Sequence, residues 1–197
     1  MILQFPKNNH LLEKNGFDVI KVDNDLAARV KDSLSKLNYK EVSVSMKKGL
    51  YSLGTEMAFN YDQESLVELN ELGKEIADLS GNLYGFCSKD ILITYFISKC
   101  TKGYHVPWHS DYQDNKSFLA VPLYFLDGQS DYESGMLEFA YSENIEKGNP
   151  LVVNSIPARH GYGVIILANN STYSHQVKEV KKEKLIRYMV RYELRIV

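Results

Sequence analysis

The segment HVPWHSD (105–111) holds two of the chain's five histidines, with an aspartate two places after the second. An imidazole and a carboxylate spaced i, i+2 on a β-strand point the same way, because side chains alternate faces along a strand. His109 and Asp111 would then converge on one point, as two metal ligands do. A catalytic metal needs a third. His10 lies in the N-terminal segment and reads as solvated. His105 has the strand parity of 109 and 111, so it could face the same point. Pro107 excludes a helical zinc motif there. His160, in PARHGYG, reads as a turn residue before a strand. His175 is better placed: it follows an apolar strand (GVIILAN) and a polar turn (NSTY), and a hairpin there would bring it beside the HxD pair.

His109, Asp111 and His175 together form a two-histidine, one-carboxylate set. Such a set covers one face of an octahedron, leaves three positions open and suits non-haem Fe(II). A closed structural zinc site would want four ligands, typically with cysteine, and Cys87 and Cys100 have no such spacing. The open positions need a cosubstrate. Arg187, inside LIRYMVRYEL on the last strand-like stretch, can point inward and clamp a carboxylate with two parallel hydrogen bonds. A dicarboxylate such as 2-oxoglutarate fits: its keto-acid end chelates the iron, its far end meets the arginine, and one position is left for O2. Arg191 shares the parity of Arg187 and is the competing clamp.

These residues need a scaffold of strands. FDVIKV (17–22) reads as a strand. DNDLAARVKDSLSKL (23–37) reads as a helix, capped by Asp23 or Asn24, with an apolar stripe at Leu26, Val30, Leu34 and Leu37. Residues 62–81 read as a second helix, with Asp62 as cap and Gly81 as stop. From residue 90 the texture changes. Stretches at 91–98, 118–126, 136–141, 150–153, 162–169, 173–180 and 185–197 are short, rich in Val, Ile, Tyr and Phe, and separated by turn residues. This pattern predicts a mainly β fold with supporting helices: a double-stranded β-helix, or jelly roll, of cupin-like type. The 197 residues read as a single domain, with 1–89 as strand-and-helix support and 90–197 as the catalytic core.

In order, residues 91–197 resemble the catalytic core of the Fe(II)- and 2-oxoglutarate-dependent dioxygenases, in the prolyl-hydroxylase-like branch. ILITYFISKCTKGYHVPWHSD resembles the family's strand, glycine loop and HxD. FLAVPLYFLDGQSDYESGMLEF resembles its apolar strand, acidic loop and glycine-rich stretch, with Ser134 where the family has its first glycine. PARHGYGVIILANNSTYSHQVKEV resembles the segment around the distal histidine, and RYMVRYEL the arginine strand. The family often places Ser or Thr two residues after the arginine. Met189 stands there, and Tyr95 is the expected replacement donor. The resemblance implies hydroxylation of an unactivated C–H at a bound Fe(II), with 2-oxoglutarate and O2 consumed and succinate and CO2 released.

Two other readings stay open on the residues alone. One is a cupin-type metal enzyme that does not use 2-oxoglutarate, built on His105, His109 and His175. The other is a non-catalytic jelly-roll binding module. A net charge of −2 offers no basic field for nucleic acid. The N-terminus lacks a charged start followed by an apolar core, no run approaches a membrane span, and a cytoplasmic protein with reduced cysteines is expected. Trp108, Tyr104 and Tyr112 are candidate aromatic walls for the substrate, though strand packing uses the same residues. The substrate is expected to be a small, amino-acid-like molecule or a peptidyl side chain.

Overall fold

The computed structural model describes residues 3–4, 16–41, 44–46, 50–84, 87–111, 117–126, 130–131, 134–168, 171–181 and 186–196. His10, Tyr112 and most of the turn before the arginine strand (182–185) lie outside them. Among the described residues, no helix is long and apolar enough to cross a membrane.

The strands are β1 (Leu3–Gln4), β2 (Phe17–Val22), β3 (Tyr39–Glu41), β4 (Val44–Met46), β5 (Leu50–Ala58), β6 (Ile91–His109), β7 (Ser117–Leu126), β8 (Ser130–Asp131), β9 (Leu137–Tyr141), β10 (Val152–Ile156), β11 (Ala158–Arg159), β12 (Tyr162–Leu167), β13 (Tyr173–Val177) and β14 (Arg187–Ile196). The helices are α1 (Asn24–Ser35), α2 (Val67–Tyr84) and the short α3 (Ser142–Glu146). The main sheet runs in the order β1-β2-β12-β7-β14-β6-β13-β9-β10, with β5 also on β6. Every strand pair along this path is antiparallel. The 19-residue β6 belongs to both halves of the roll. Residues 91–100 pair with β14, and Val106 and His109 pair with β13. The sheet thereby curls on itself into a jelly roll. The first third of the chain joins this sheet directly, through β2 on β12 and β5 on β6.

Strands β2, β6, β7, β12 and β14 each feed two cores, because side chains alternate faces. On the outer side, Ile97, Leu123, Val190, Tyr192 and Leu194 pack with Leu26, Val30 and Leu34 of α1 and Leu69, Leu72 and Ile76 of α2. On the inner side, Phe17, Tyr104, Val106, Leu137, Phe139 and Ile166 form a second cluster. Asp23 caps α1, accepting from the backbone N–H groups of Asp25 and Leu26 at 3.0 and 3.2 Å. The second helix starts later than its sequence suggests. Residues 62–66 form a turn in which Asp62 Oδ1 accepts from Glu64 N. Gly81 does not stop this helix, which continues to Tyr84. The helix lies close to the sheet at Gly73, where an added Cβ would come 3.1 Å from the Tyr192 ring.

Candidate metal centre and cosubstrate pocket

Antiparallel pairing sets His175 of β13 directly opposite His109 of β6, with ring centroids 4.2 Å apart. Asp111 follows just past the end of β6. The ligand-capable atoms of His109, Asp111 and His175 all lie within 4.8 Å of one another. Nε2 of His109 is 3.8 Å from Asp111 Oδ1, and Nε2 of His175 is 3.7 Å from Asp111 Oδ2. Nδ1 of His109 contacts the Pro107 carbonyl at 2.8 Å. A carbonyl can only accept, so Nδ1 carries the proton and Nε2 keeps its lone pair facing the carboxylate.

The strand parity that nominated His105 is broken on the way. Between Val106 and His109 the register with β13 shifts: three residues of β6 span what two residues of β13 span. The extra residue is a β-bulge, and it falls where Pro107 has no N–H to give the ladder. Past the bulge the inward parity changes from even to odd. Tyr104 and Val106 face the cavity, and so do His109 and Asp111. His105 turns away, with Nδ1 3.0 Å from the Gly103 carbonyl. Trp108 is half-buried and is not part of the cavity wall.

Burial depresses both histidines. His175 is pushed down to about 3 by its burial and then by the neighbouring His109, against the opposing pull of Asp111. His109 is also lowered, mainly by burial. Burial alone would raise Asp111, but His175, Arg191 and His109 outweigh it and hold it at about 2. At neutral pH the site therefore offers two neutral imidazoles and one carboxylate, the protonation states a metal needs. Among the described residues, Asp111 Oδ2 is buried with no hydrogen-bond partner. An orphaned buried carboxylate oxygen is costly unless a ligand meets it. The donor set thus fits a divalent cation.

The three residues open onto a cavity of about 190 Å³. Val106, Ala120, Leu137, Ile166 and Val177 give it apolar walls; Tyr104 and Tyr124 add hydroxyls. Burial raises Tyr124 to about 12 and Tyr104 well above its ordinary value, so both remain protonated donors. A larger, more open depression beside α1, lined by Lys31, His160 and Tyr188, holds none of these groups. His160 there accepts the Leu126 N–H at 3.1 Å.

No family model matches the chain, and no curated protein does. Solved structures do. A prolyl hydroxylase, titled as a complex with a hypoxia inducible factor oxygen degradation domain peptide fragment from Trichoplax adhaerens, superposes with a TM-score of 0.69 at 16% identity. The match covers 94% of this chain and 86% of that one. A prolyl-4-hydroxylase of Pseudomonas putida gives 0.66 at 14% identity, over 95% and 96%. HygX of Streptomyces hygroscopicus, with nickel and 2-oxoglutarate bound, gives 0.61 at 12% identity, over 93% and 84%. This is the fold of the 2-oxoglutarate- and Fe(II)-dependent oxygenases.

Within the oxygenase fold the two arginines of β14 sit very differently. Both share the inward parity of Met189 and Glu193. Arg191 lines the cavity and donates through Nη2 to Asp111 Oδ1 at 3.1 Å. Arg187 is fully buried and is not itself part of the cavity wall. Its guanidinium centre lies 5.8 Å from the ring centre of Tyr124, which is part of that wall. It donates from Nη1 to the Gly135 carbonyl at 3.0 Å and from Nη2 to the Ser134 carbonyl at 3.4 Å. Gly135 has φ +62°, and a Cβ there would collide with both Nη atoms. Only glycine combines that backbone with that contact. Ser134, which stands where the resemblance has a glycine, lends its backbone carbonyl to the arginine.

Tyr95 is a correction. It belongs to the outer core, with its ring 5.4 Å from Tyr192 and its hydroxyl near Asn70 Oδ1 and the Gln63 carbonyl. Strand alternation put it there: Phe96 and Ser98 face the cavity, so 95 and 97 cannot. Tyr124 is the tyrosine beside the arginine. It reaches the arginine through register, because β7 pairs with β14 and sets Tyr124 opposite Met189. Tyr104 lines the cavity.

Proposed function

We propose that the chain is an Fe(II)- and 2-oxoglutarate-dependent oxygenase that hydroxylates an unactivated C–H of its substrate. The observation that carries this reading is the Asp111 carboxylate, buried beside two neutral histidines with its Oδ2 orphaned among the described residues. Fe(II), 2-oxoglutarate and O2 supply the oxidising chemistry, with release of succinate and CO2. His109, Asp111 and His175 hold the metal on one face. Tyr124 and Arg187 receive the far carboxylate of the cosubstrate, and Gly135 seats the arginine. Arg191 is tied to a metal ligand, which is too near for that role. The far carboxyl carbon stands about 4 Å beyond the keto carbon, across three C–C bonds of about 1.5 Å. The apolar walls exclude water from the reacting carbon. The two cysteines are free, one exposed and one buried, which suits a reducing, cytoplasmic setting.

Succinate release tests the reading directly. Metal-free protein given Fe(II) and 2-oxoglutarate and then exposed to O2 is expected to release succinate slowly even without a second substrate. Zn(II) in place of Fe(II) is expected to stop it. Succinate formed equally with either metal, or none formed with Fe(II), would overturn the assignment.

A further inference from the structure

Beyond the metal ligands, the inner face of β14 carries an opposite-charge pair that the cosubstrate does not use. Arg191 and Glu193 stand two residues apart on the cavity wall. Nε of Arg191 stops 3.6 Å from Glu193 Oε1, beyond hydrogen-bond reach. That Nε is buried and, among the described residues, has no hydrogen-bond partner. Directly across from Glu193 on β6, Thr94 keeps a buried hydroxyl that has no partner among the described residues. Arg195 Nη2 holds the other carboxylate oxygen of Glu193 at 3.3 Å. The wall thus reads Asp111, Arg191, Glu193, leading away from the metal ligands, with polar atoms waiting for partners.

We propose that Arg191 and Glu193 recognise the charged head of a free α-amino acid, Arg191 taking its carboxylate and Glu193 its ammonium group. The proposal rests on the oxygenase reading and names the substrate class of that site. An α-amino acid carries its two opposite charges on one carbon, and the wall offers the complementary two side by side. A zwitterion enters this buried setting without leaving an unpaired charge. A peptidyl residue has neither charge and would leave the pair facing neutral amides. A second dicarboxylate would meet Glu193 with like charge. The small cavity suits a small ligand. Because Arg191 also holds Asp111, the head is anchored beside the metal ligands, and the amino acid's own side chain is what the apolar wall receives.

The test supplies each free amino acid, its N-acetyl form and its amide, with Fe(II), 2-oxoglutarate and O2. Succinate release is read against the background without a second substrate. At least one free amino acid is expected to raise release above that background. Both of its blocked forms are expected to lose about thirtyfold or more in kcat/KM. Arg191→Met should close the gap between acid and amide, and Glu193→Gln the gap between free amine and N-acetyl form. A purely structural role for either residue would depress all forms alike. Anaerobic titration calorimetry of the same compounds into Mn(II)- and 2-oxoglutarate-loaded protein should give the same order. Blocked forms or an internal peptide residue working as well as the free amino acid would overturn the proposal. So would a normal background that no free amino acid stimulates. A missing background would instead bring down the oxygenase reading, and this proposal with it.

Discussion

On the outer side of the main sheet, Tyr95, Tyr188 and Tyr192 pack among leucines and isoleucines beneath α1 and α2. On the inner side, Tyr104 and Tyr124 share their layer with Arg187, Arg191, Glu193 and the three candidate ligands. The same strands build both layers, and composition hardly separates them. Hydrogen bonding does. Tyr192 is buried on the outer side and satisfies its hydroxyl on the Leu69 carbonyl at 2.8 Å. On the inner side, Asp111 Oδ2 and Arg191 Nε are buried without partners among the described residues. A layer that serves stability closes its own polar contacts, whereas a layer that serves binding leaves some for a ligand.

Substitutions on the two faces should therefore fail differently. The largest effect is expected at the ligands: His109→Ala, Asp111→Ala or His175→Ala should lose Fe(II) in equilibrium dialysis yet keep a cooperative thermal melt. His105→Ala should keep the metal, because the bulge at Pro107 turns it away. Tyr192→Phe, on the outer face, should bind iron normally and lose about 1 kcal/mol of stability. Iron retained by His175→Ala, or lost by Tyr192→Phe, would erase the distinction between the faces.

A smaller effect should appear with pH in the metal-free protein. His175 sits at about 3 in the fold, against an ordinary value of 6.5. As pH falls through the ordinary value, the unfolded chain takes up a proton that the folded chain refuses. The unfolded state then binds more protons, so stability falls with falling pH across the window from 6.5 down to about 3. Asp111, held at about 2, adds a second loss below the ordinary carboxylate range. The melting temperature of metal-free protein should drop between about pH 7 and about pH 5, and His175→Gln should flatten part of that drop. A melt independent of pH over this window would mean that the histidine is not buried neutral.

Much of this was legible in the sequence, for physical reasons. Hydrophobic alternation and turn residues marked the strands from 91 onward, and the order of HxD, distal histidine and arginine marked the chemistry. What stayed hidden depended on register. His105 shared the parity of His109 in the sequence, and only the extra residue at Pro107 and Trp108 separated their faces. Tyr95 was chosen by its nearness to the HxD pair along the chain. The inward positions of that strand are the even ones, 96 and 98. Tyr124 is distant in sequence from the arginine strand and meets it only through the pairing of β7 with β14. Strands β3 to β5 were not foreseen, since residues 39–58 lack a long alternating pattern. Gly81 was read as a helix stop, but packing of α2 on the sheet carried the helix past it.

The central claim is that one cosubstrate spans the inner face, from the three ligands to Arg187. Calorimetric titration of 2-oxoglutarate into Mn(II)-loaded protein tests it most directly, comparing wild type with Arg187→Ala, Tyr124→Phe, Arg191→Ala and Tyr95→Phe. Losing one partner of a buried charged pair typically costs about 2–5 kcal/mol. Arg187→Ala should therefore weaken binding by about thirtyfold or more. Tyr124→Phe should weaken it by less, through one lost hydroxyl contact. Arg191→Ala should have a much smaller effect than Arg187→Ala, and Tyr95→Phe none. Loss of binding at Arg191 with Arg187→Ala unaffected would contradict the account and move the clamp four residues along β14, toward the metal.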